Sequence, residues 1–222
     1  MKKIVVLTGA GISAESGIST FRDANGLWEN HDIMEVASIQ GWNVNPALVL
    51  DFYNLRRAQL KEVYPNAAHY FLAELEKKFK VSIITQNVDD LHERAGSSRI
   101  IHLHGELNKV RSIANENLVY DWMDDLKLGD LAEDGMQLRP HIVWFGEEVP
   151  MMYSAINEVK DADILLIIGT SLQVYPAASL LDYIDYETKV ICIDPNDLPI
   201  NSNIYHIKKN ATEGIVDLEN YL

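Results

Sequence analysis

The sequence is poor in cysteine and in positive charge, and it has no long apolar run. Cys192 is the only cysteine in 222 residues. That excludes an internal disulfide and any four-thiolate zinc site within one chain. No apolar run reaches the roughly 20 residues that cross a bilayer as a helix. The most signal-like stretch, Ile4-Val5-Val6-Leu7, runs at once into Gly9-Ala10-Gly11, whereas a signal peptide needs a longer apolar region before its cleavage site. It reads as a first strand, and the chain as a cytoplasmic protein without membrane contact. Lys and Arg number 19 against 33 Asp and Glu, a net charge of −14. This argues against nucleic acid, which binds basic surfaces. The same charge suits both solubility and the steering of basic, lysine-bearing substrates. Internal repeats and low-complexity tracts are also missing.

What is present is a set of short apolar runs rich in β-branched residues: Ile4–Leu7, Val81–Ile84, Ile142–Trp144, Ile164–Ile168 and Val190–Ile193. They predict strands buried on both faces, as in a parallel sheet. Ile100–Leu103 and Ile204–Ile207 extend its edges. Asn45-Pro46 is an N-cap and first-turn pair for a helix to about Val63. Pro65-Asn66 precedes a second helix with Ala68, Leu72, Leu75 and Phe79 on one stripe. Tyr175-Pro176 opens a third, and Thr212–Tyr221 forms a fourth. The alternation predicts an α/β fold, a Rossmann-like doubly wound parallel sheet. Residues 24–64 and 106–140 break the alternation and are assigned to a smaller, mostly helical module. The sheet is then discontinuous, built from 1–23, 65–105 and 141–222.

The first strand ends in Gly9-Ala10-Gly11-Ile12-Ser13-Ala14, a G-x-G-x-x-A turn. Glycines there permit a tight turn and let backbone N–H groups approach a pyrophosphate; a plain strand-to-helix turn has the same signature. An ordinary dinucleotide fold places an acidic residue on a second strand about 20 residues on, to hold a ribose. Here Ser19–Trp28 reads as a loop, so any dinucleotide is held in another way.

Several ordered blocks resemble the sirtuin family of NAD⁺-dependent protein deacylases. They are Gly9–Ile18 with Thr20-Phe21-Arg22 and Gly26-Leu27-Trp28, Thr85–His92 with Ala95-Gly96, and Leu103–Leu107. Leu138-Arg139-Pro140, Val143–Glu147 and Gly169–Val174 with Pro176-Ala177-Ala178 complete the set. The resemblance covers the chain from residue 4 to about 180. It implies NAD as a consumed co-substrate, and acyl-lysine side chains of proteins as the other partner. The oligomeric state stays open. Three departures stand out. The family's two Cys-x-x-Cys pairs, which hold a structural zinc, are replaced by Arg111–Asn115 and Leu131–Gly135, so no zinc is predicted. Packing of Trp122, Leu126, Leu128 and Leu131 is expected to hold the module instead, unless it is shortened and mobile. Asp194 stands where asparagine is common, and Ser19 replaces a usual proline.

The resemblance also implies roles. His104 is the general base, Asn87 and Asp89 meet the nicotinamide ribose and amide, and Arg22 meets the diphosphate. Thr20 and Phe21 shape the pocket. Gly9, Ala10, Gly11, Ala14, Glu15, Trp28 and Gln86 lie beside the cofactor. Gly169, Thr170 and Ser171 offer backbone N–H groups and hydroxyls, Asp194-Pro195-Asn196 faces ribose hydroxyls, and Ala211 borders the adenine. Val143, Trp144, Phe145, Gly146 and Glu147, with Val174, form the edge that pairs with an extended substrate peptide. In the implied reaction the acyl oxygen displaces nicotinamide, and His104 activates a ribose hydroxyl that then takes the acyl group. O-acyl-ADP-ribose and free lysine are the products. Mono-ADP-ribosyl transfer and NAD sensing remain alternatives. Tyr53 and Arg56 lie three apart on one helix face. A guanidinium with a phenol suits a carboxylate, and the pair resembles the family branch that removes succinyl, malonyl or glutaryl groups. The residues predict a pocket for acidic acyl-lysines, with acetyl-lysine secondary.

Overall fold

A computed structural model of the chain describes residues 1–19, 27–28, 31–198, 204–218 and 220–222. The chain starts with β1 (Lys3–Thr8) and turns through Gly9 into α1 (Ala10–Ala14), followed by the short strands β2 (Leu27–Trp28) and β3 (His31–Asp32). Next come α2 (Ile33–Val36), α3 (Ile39–Val44), α4 (Pro46–Glu62), α5 (Ala67–Leu75), β4 (Lys80–Thr85), α6 (Leu91–Ala95) and β5 (Ile100–His102). Three strands, β6 (Gly105–Ser112), β7 (Val119–Asp121) and β8 (Leu138–Ile142), precede α7 (Met152–Lys160) and β9 (Ile164–Ile168). The chain closes through a 3₁₀ helix (Ala177–Tyr183), β10 (Lys189–Ile193), β11 (Tyr205–Ile207) and α8 (Ala211–Leu218).

The β-branched runs become one parallel sheet of order β11-β10-β9-β1-β4-β5. Alternate residues feed opposite layers, the reason the runs are apolar throughout. Ile4, Val6, Leu166 and Ile168 pack under α5 and α8, while Val5, Leu7, Leu165 and Ile167 pack against Ala155 and Val159 of α7 and Leu180. Reading outward from β1, the chain winds one way through β4 and β5 and the other way through β9 to β11. This reversal leaves a crevice at the carboxyl ends of β1 and β9, the usual ligand position in such sheets. Among the described residues no helix is long and apolar enough to cross a membrane.

The predicted cap of α4 holds, and α5 has one as well. Asn45 accepts from the Leu48 N–H at 3.1 Å with Pro46 in the first turn of α4, and Asn66 with His69 forms a reciprocal capping box on α5. Other expectations need correction. Ile142–Trp144 is not a strand of the parallel sheet: Ile142 ends β8, which pairs antiparallel with β6. The chain after Tyr175-Pro176 is 3₁₀ rather than α-helical. Phe79 lies past the end of α5. The stretch 106–140 is not helical; it supplies the antiparallel sheet β7-β6-β8, so the small module is helical only in its first part. Val110, Leu126, Ala132 and Leu138 pack there against Leu50, with Trp122 at the margin. Leu128 and Leu131, expected in that core, are exposed.

Hydrogen bonds do the rest of the work in that module. The two stretches that lack cysteines are joined directly: Ser112 Oγ donates to Asp134 Oδ2 at 2.7 Å. The same oxygen accepts from the N–H groups of Ala114 and Asn115, at 3.0 and 3.3 Å, and Asp134 Oδ1 accepts from Met136 N–H at 3.0 Å. Two hard-oxygen side chains already bonded to each other are not a thiolate zinc site. On α4, Arg57 donates to the carbonyls of Leu107 and Asp124, and Asn54 pairs with both backbone groups of Leu126. Ser112→Ala removes three hydrogen bonds whose partners are exposed and can turn to water, and is expected to cost about 0.5–1.5 kcal/mol of stability in urea denaturation. A loss below about 0.3 kcal/mol contradicts the assigned role.

Candidate active site

At the crevice, two strand ends meet with nothing between them. Gly9 N–H donates to the Ile168 carbonyl at 3.1 Å and Gly11 N–H to the Gly169 carbonyl at 2.9 Å. A Cβ on Gly11 would sit 2.6 Å from Gly169 Cα, and Gly169 has φ +63°. Both positions therefore require glycine. Beside this contact opens a cavity of about 710 Å³. Gly9–Gly11, Asn87, Asp89, His104, Thr170 and Asp194 lie on its wall with Tyr53, Arg56 and the apolar side chains of Ala37, Leu60, Leu107 and Trp144.

The segment after β4 brings three polar residues to that cavity. Gln86 Nε2 donates to Thr170 Oγ1 at 2.9 Å, linking the end of β4 to the end of β9. Asn87 Nδ2 donates to Ser13 Oγ at 3.0 Å, and Ser13 Oγ donates to Asp89 Oδ2 at 3.0 Å. Ser13, fully buried on α1, is thus the joint between the glycine turn and the Asn87–Asp89 pair. Burial pushes the Asp89 carboxyl up to about 6, opposed by the Leu91 N–H, the Ser13 hydroxyl and the cation at His102. Beneath it, His69 is pushed down to about 4 by burial; its Nδ1 accepts from Asn66 N–H.

Two imidazoles clasp the same segment. His104 Nδ1 lies 3.0 Å from the Gln86 carbonyl and His102 Nδ1 lies 3.2 Å from the Asn87 carbonyl. A carbonyl only accepts, so each Nδ1 carries its proton. In a neutral His104 the lone pair is then on Nε2. Burial holds this imidazole below its usual value, so it is unprotonated at neutral pH. His102 differs, because Glu93 Oε1 stands 2.7 Å from its Nε2. Burial opposes the charged form there, but the carboxylate outweighs it and raises the imidazole's pKa.

On the other part of the wall, Tyr53 is fully buried and Arg56 partly exposed. Tyr53 Oη accepts from Trp144 Nε1 at 3.0 Å, and burial holds the phenol well above its usual range. The Arg56 guanidinium carbon lies 5.7 Å from the Phe52 ring centre. Trp144 itself is locked: Arg139 stacks 3.4 Å above its ring and pairs through both nitrogens with Glu147, at 2.6 and 2.9 Å. Glu147 also accepts from Trp144 N–H at 2.8 Å. Of the residues expected along a peptide edge, Trp144 and Glu147 therefore work inward. The N–H groups of Val143 and Phe145 are taken by His104 and Ala37 carbonyls. Phe145 and Val174 are exposed at the cavity.

With this geometry the chain can be set beside known proteins. The sequence profile of the Sir2 family matches residues 9–176. The chain belongs to the Sir2 family. It is 63% identical over 220 residues to an NAD-dependent protein deacylase of Helicobacter pylori strain J99, covering 98% of this chain and 94% of the relative. It is 54% identical to one of Bacteroides thetaiotaomicron, covering 100% and 98%. A solved Sir2 homologue–NAD complex superposes with a TM-score of 0.88 at 40% identity, covering 99% of this chain and 89% of that one.

In this Sir2 chain most of the sequence-derived site converges. Ala10, Ala14, Ser171, Gly146, Pro195, Asn196 and Ala211 line the same cavity as the residues above. Glu15 lines it too, but its carboxylate is engaged by Thr212 N–H and Oγ1, at 2.9 and 2.6 Å, at the start of α8. The Asp194 carboxylate accepts from both nitrogens of Asn196, at 2.9 and 3.0 Å, and so shapes its own turn. Thr20, Phe21 and Arg22 lie outside the described residues, and Trp28 is placed only as the end of β2. Sequence reasoning missed Ser13, although its place four residues after Gly9 puts it on the inner face of α1. It also missed the apolar wall of Ala37, Leu60 and Leu107, which carries no motif.

Burial of Asp89 has a measurable cost. The folded-state carboxyl holds its proton more tightly than the unfolded one at 3.8. The resulting penalty is absent below that value and grows until pH passes about 6. Asp89→Asn is expected to gain stability relative to the parent by about 1–1.5 kcal/mol more at pH 8 than at pH 5 in urea denaturation. A difference independent of pH contradicts the burial of this carboxyl.

Proposed function

We propose that the chain is an NAD-dependent protein-lysine deacylase that prefers succinyl- and malonyl-lysine and also accepts acetyl-lysine. In this reading it releases nicotinamide and O-acyl-ADP-ribose. One observation carries it: an imidazole whose Nδ1 is fixed on the Gln86 carbonyl shares a cavity with the glycine turn and with Tyr53 and Arg56. The lining fits a dinucleotide. Gly9–Gly11 and Gly169 let a ligand approach bare backbone, and Asn87, Asp89, Ser171 and Asn196 supply partners for hydroxyls and a carboxamide. NAD⁺ supplies an activated glycosidic carbon when bound.

The chain's own groups then divide the work. Gln86, Asn87 and Asp89 orient the nicotinamide ribose and its amide. His104 Nε2 takes a proton from a ribose hydroxyl, which suits a base that is neutral at physiological pH. Leu107, Ile142 and Trp144 exclude water around the acyl chain, while Arg56 and Tyr53 meet a terminal carboxylate. Phe145, Gly146 and Val174 flank the peptide. In this reading residues 1–23, 65–105 and 141–222 hold the cofactor, and 24–64 with 106–140 close the acyl side.

Arg56→Met separates acyl preference from catalysis. Losing a charge-assisted bond is expected to lower kcat/KM on a succinyl-lysine peptide by about 1.5–3 kcal/mol of transition-state stabilisation, with turnover of the acetyl-lysine peptide little changed. Equal losses on both peptides contradict the acyl assignment. A parent enzyme that releases no nicotinamide with any acyl peptide contradicts the deacylase reading itself.

A further inference from the structure

His102 belongs to no described role, yet it is bonded at both ring nitrogens. Its side chain is 9% exposed. One nitrogen faces the Asn87 carbonyl at 3.2 Å and the other faces Glu93 Oε1 at 2.7 Å. Glu93 comes from α6 and Asn87 from the turn after β4, so the ring ties helix to turn. The other charged groups around it are few. Glu106, at the start of β6, faces it and is itself paired with Lys109 at 2.9 Å. Asp89 follows Asn87 in the turn, and His92 on α6 feels the His102 charge but is held neutral by burial. A neutral ring would set a lone pair against either the Asn87 carbonyl or the Glu93 carboxylate, so the geometry calls for the doubly protonated cation.

We infer that His102, clamped by Glu93, is a positioning residue that holds the Asn87–Asp89 turn in place for the nicotinamide ribose. It works in two ways. Its Nδ1–H fixes the Asn87 carbonyl, and with it the direction in which the Asn87 amide meets Ser13. Its positive charge adds to the Leu91 N–H and the Ser13 hydroxyl in favouring the ionised form of the buried Asp89 carboxylate, against burial and the neighbouring Asp90. Neither role brings His102 to the substrate; both act through the neighbouring residues. The inference rests on the assignment of Asn87 and Asp89 to the cofactor.

Side-chain amides separate the two effects, because asparagine places its nitrogen where Nδ1 lies and glutamine places its nitrogen where Nε2 lies. Initial rates of nicotinamide release by the full chain are measured against NAD⁺ concentration, with a saturating acetyl-lysine peptide, from pH 5.5 to 8.5. His102→Ala and His102→Gln are expected to raise KM for NAD⁺ by about five- to thirtyfold, the loss of one buried hydrogen bond. His102→Asn is expected to recover most of that affinity. All three, and Glu93→Gln, are expected to move the acidic limb of kcat/KM to higher pH, since Asp89 loses the cation beside it. An Ala variant with the parent's KM and limb overturns the inference, as does an Asn variant no better than Gln. If the Ala variant fails to fold, the Asn and Gln pair decides by the same comparison. A parent that releases no nicotinamide removes the cofactor assignment itself, a distinct result.

Discussion

The contact on which the site depends is one of backbone on backbone. The turn after β1 and the turn after β9 press together through Gly11 and Gly169, at a distance no side chain permits. Hydrogen bonds from Gly9 and Gly11 close it. This occurs where the strand order reverses, so the sheet's own topology supplies a crevice and the glycines keep it bare. The polar groups on this side of the cavity are linked to that junction by hydrogen bonds. Gln86, at the end of β4, bonds to Thr170 beside Gly169, and Ser13 on α1 bonds to Asn87 and Asp89.

A second constraint works from the opposite wall. Arg139 and Glu147 form a bidentate pair that grips Trp144 from above and at its N–H. The indole in turn donates to Tyr53. An ion pair of this kind gives little net stability once desolvation is counted, but it fixes a flat wall in one orientation. This wall of the cavity is thus fixed by hydrogen bonds where the antiparallel strands meet α4. The bonds from Arg57 and Asn54 to the 107–126 stretch attach the helix that carries Tyr53 and Arg56.

Much of this was legible in the sequence. The β-branched runs gave the parallel strands, because a strand buried on both faces has no polar side to confuse its reading. Asn45-Pro46 marked a helix start through cap chemistry, and Pro65-Asn66 marked the next by its place before the apolar stripe. The G-x-G turn was found, though the physical need for Gly11 proved to be contact with Gly169 rather than ligand approach alone. The module from 106 to 140 was not legible. Its strands β6 and β8 bury polar and charged side chains, Arg111, Ser112 and Arg139, and Ser112–Asp134 and other side-chain bonds fasten it, which leaves no apolar periodicity to read. Ile142–Trp144 misled for the opposite reason: it is apolar on account of the cavity and the Arg139 stack, and not of a central strand. Glu147 and Glu15 matched a family pattern, but their carboxylates turn to Arg139 and to Thr212, a distinction that only coordinates carry.

These strands of argument meet at one ring. The Gln86 carbonyl fixes the tautomer of His104, burial keeps it neutral, and it lines the same cavity as the glycine turn, Tyr53 and Arg56. The most direct measurement is the rate of O-acyl-ADP-ribose formation by His104→Ala, at saturating NAD⁺ and acyl peptide. A fall of about 10²–10⁴ is predicted, the usual contribution of a general base. A variant that forms the product at the parent's rate contradicts the account.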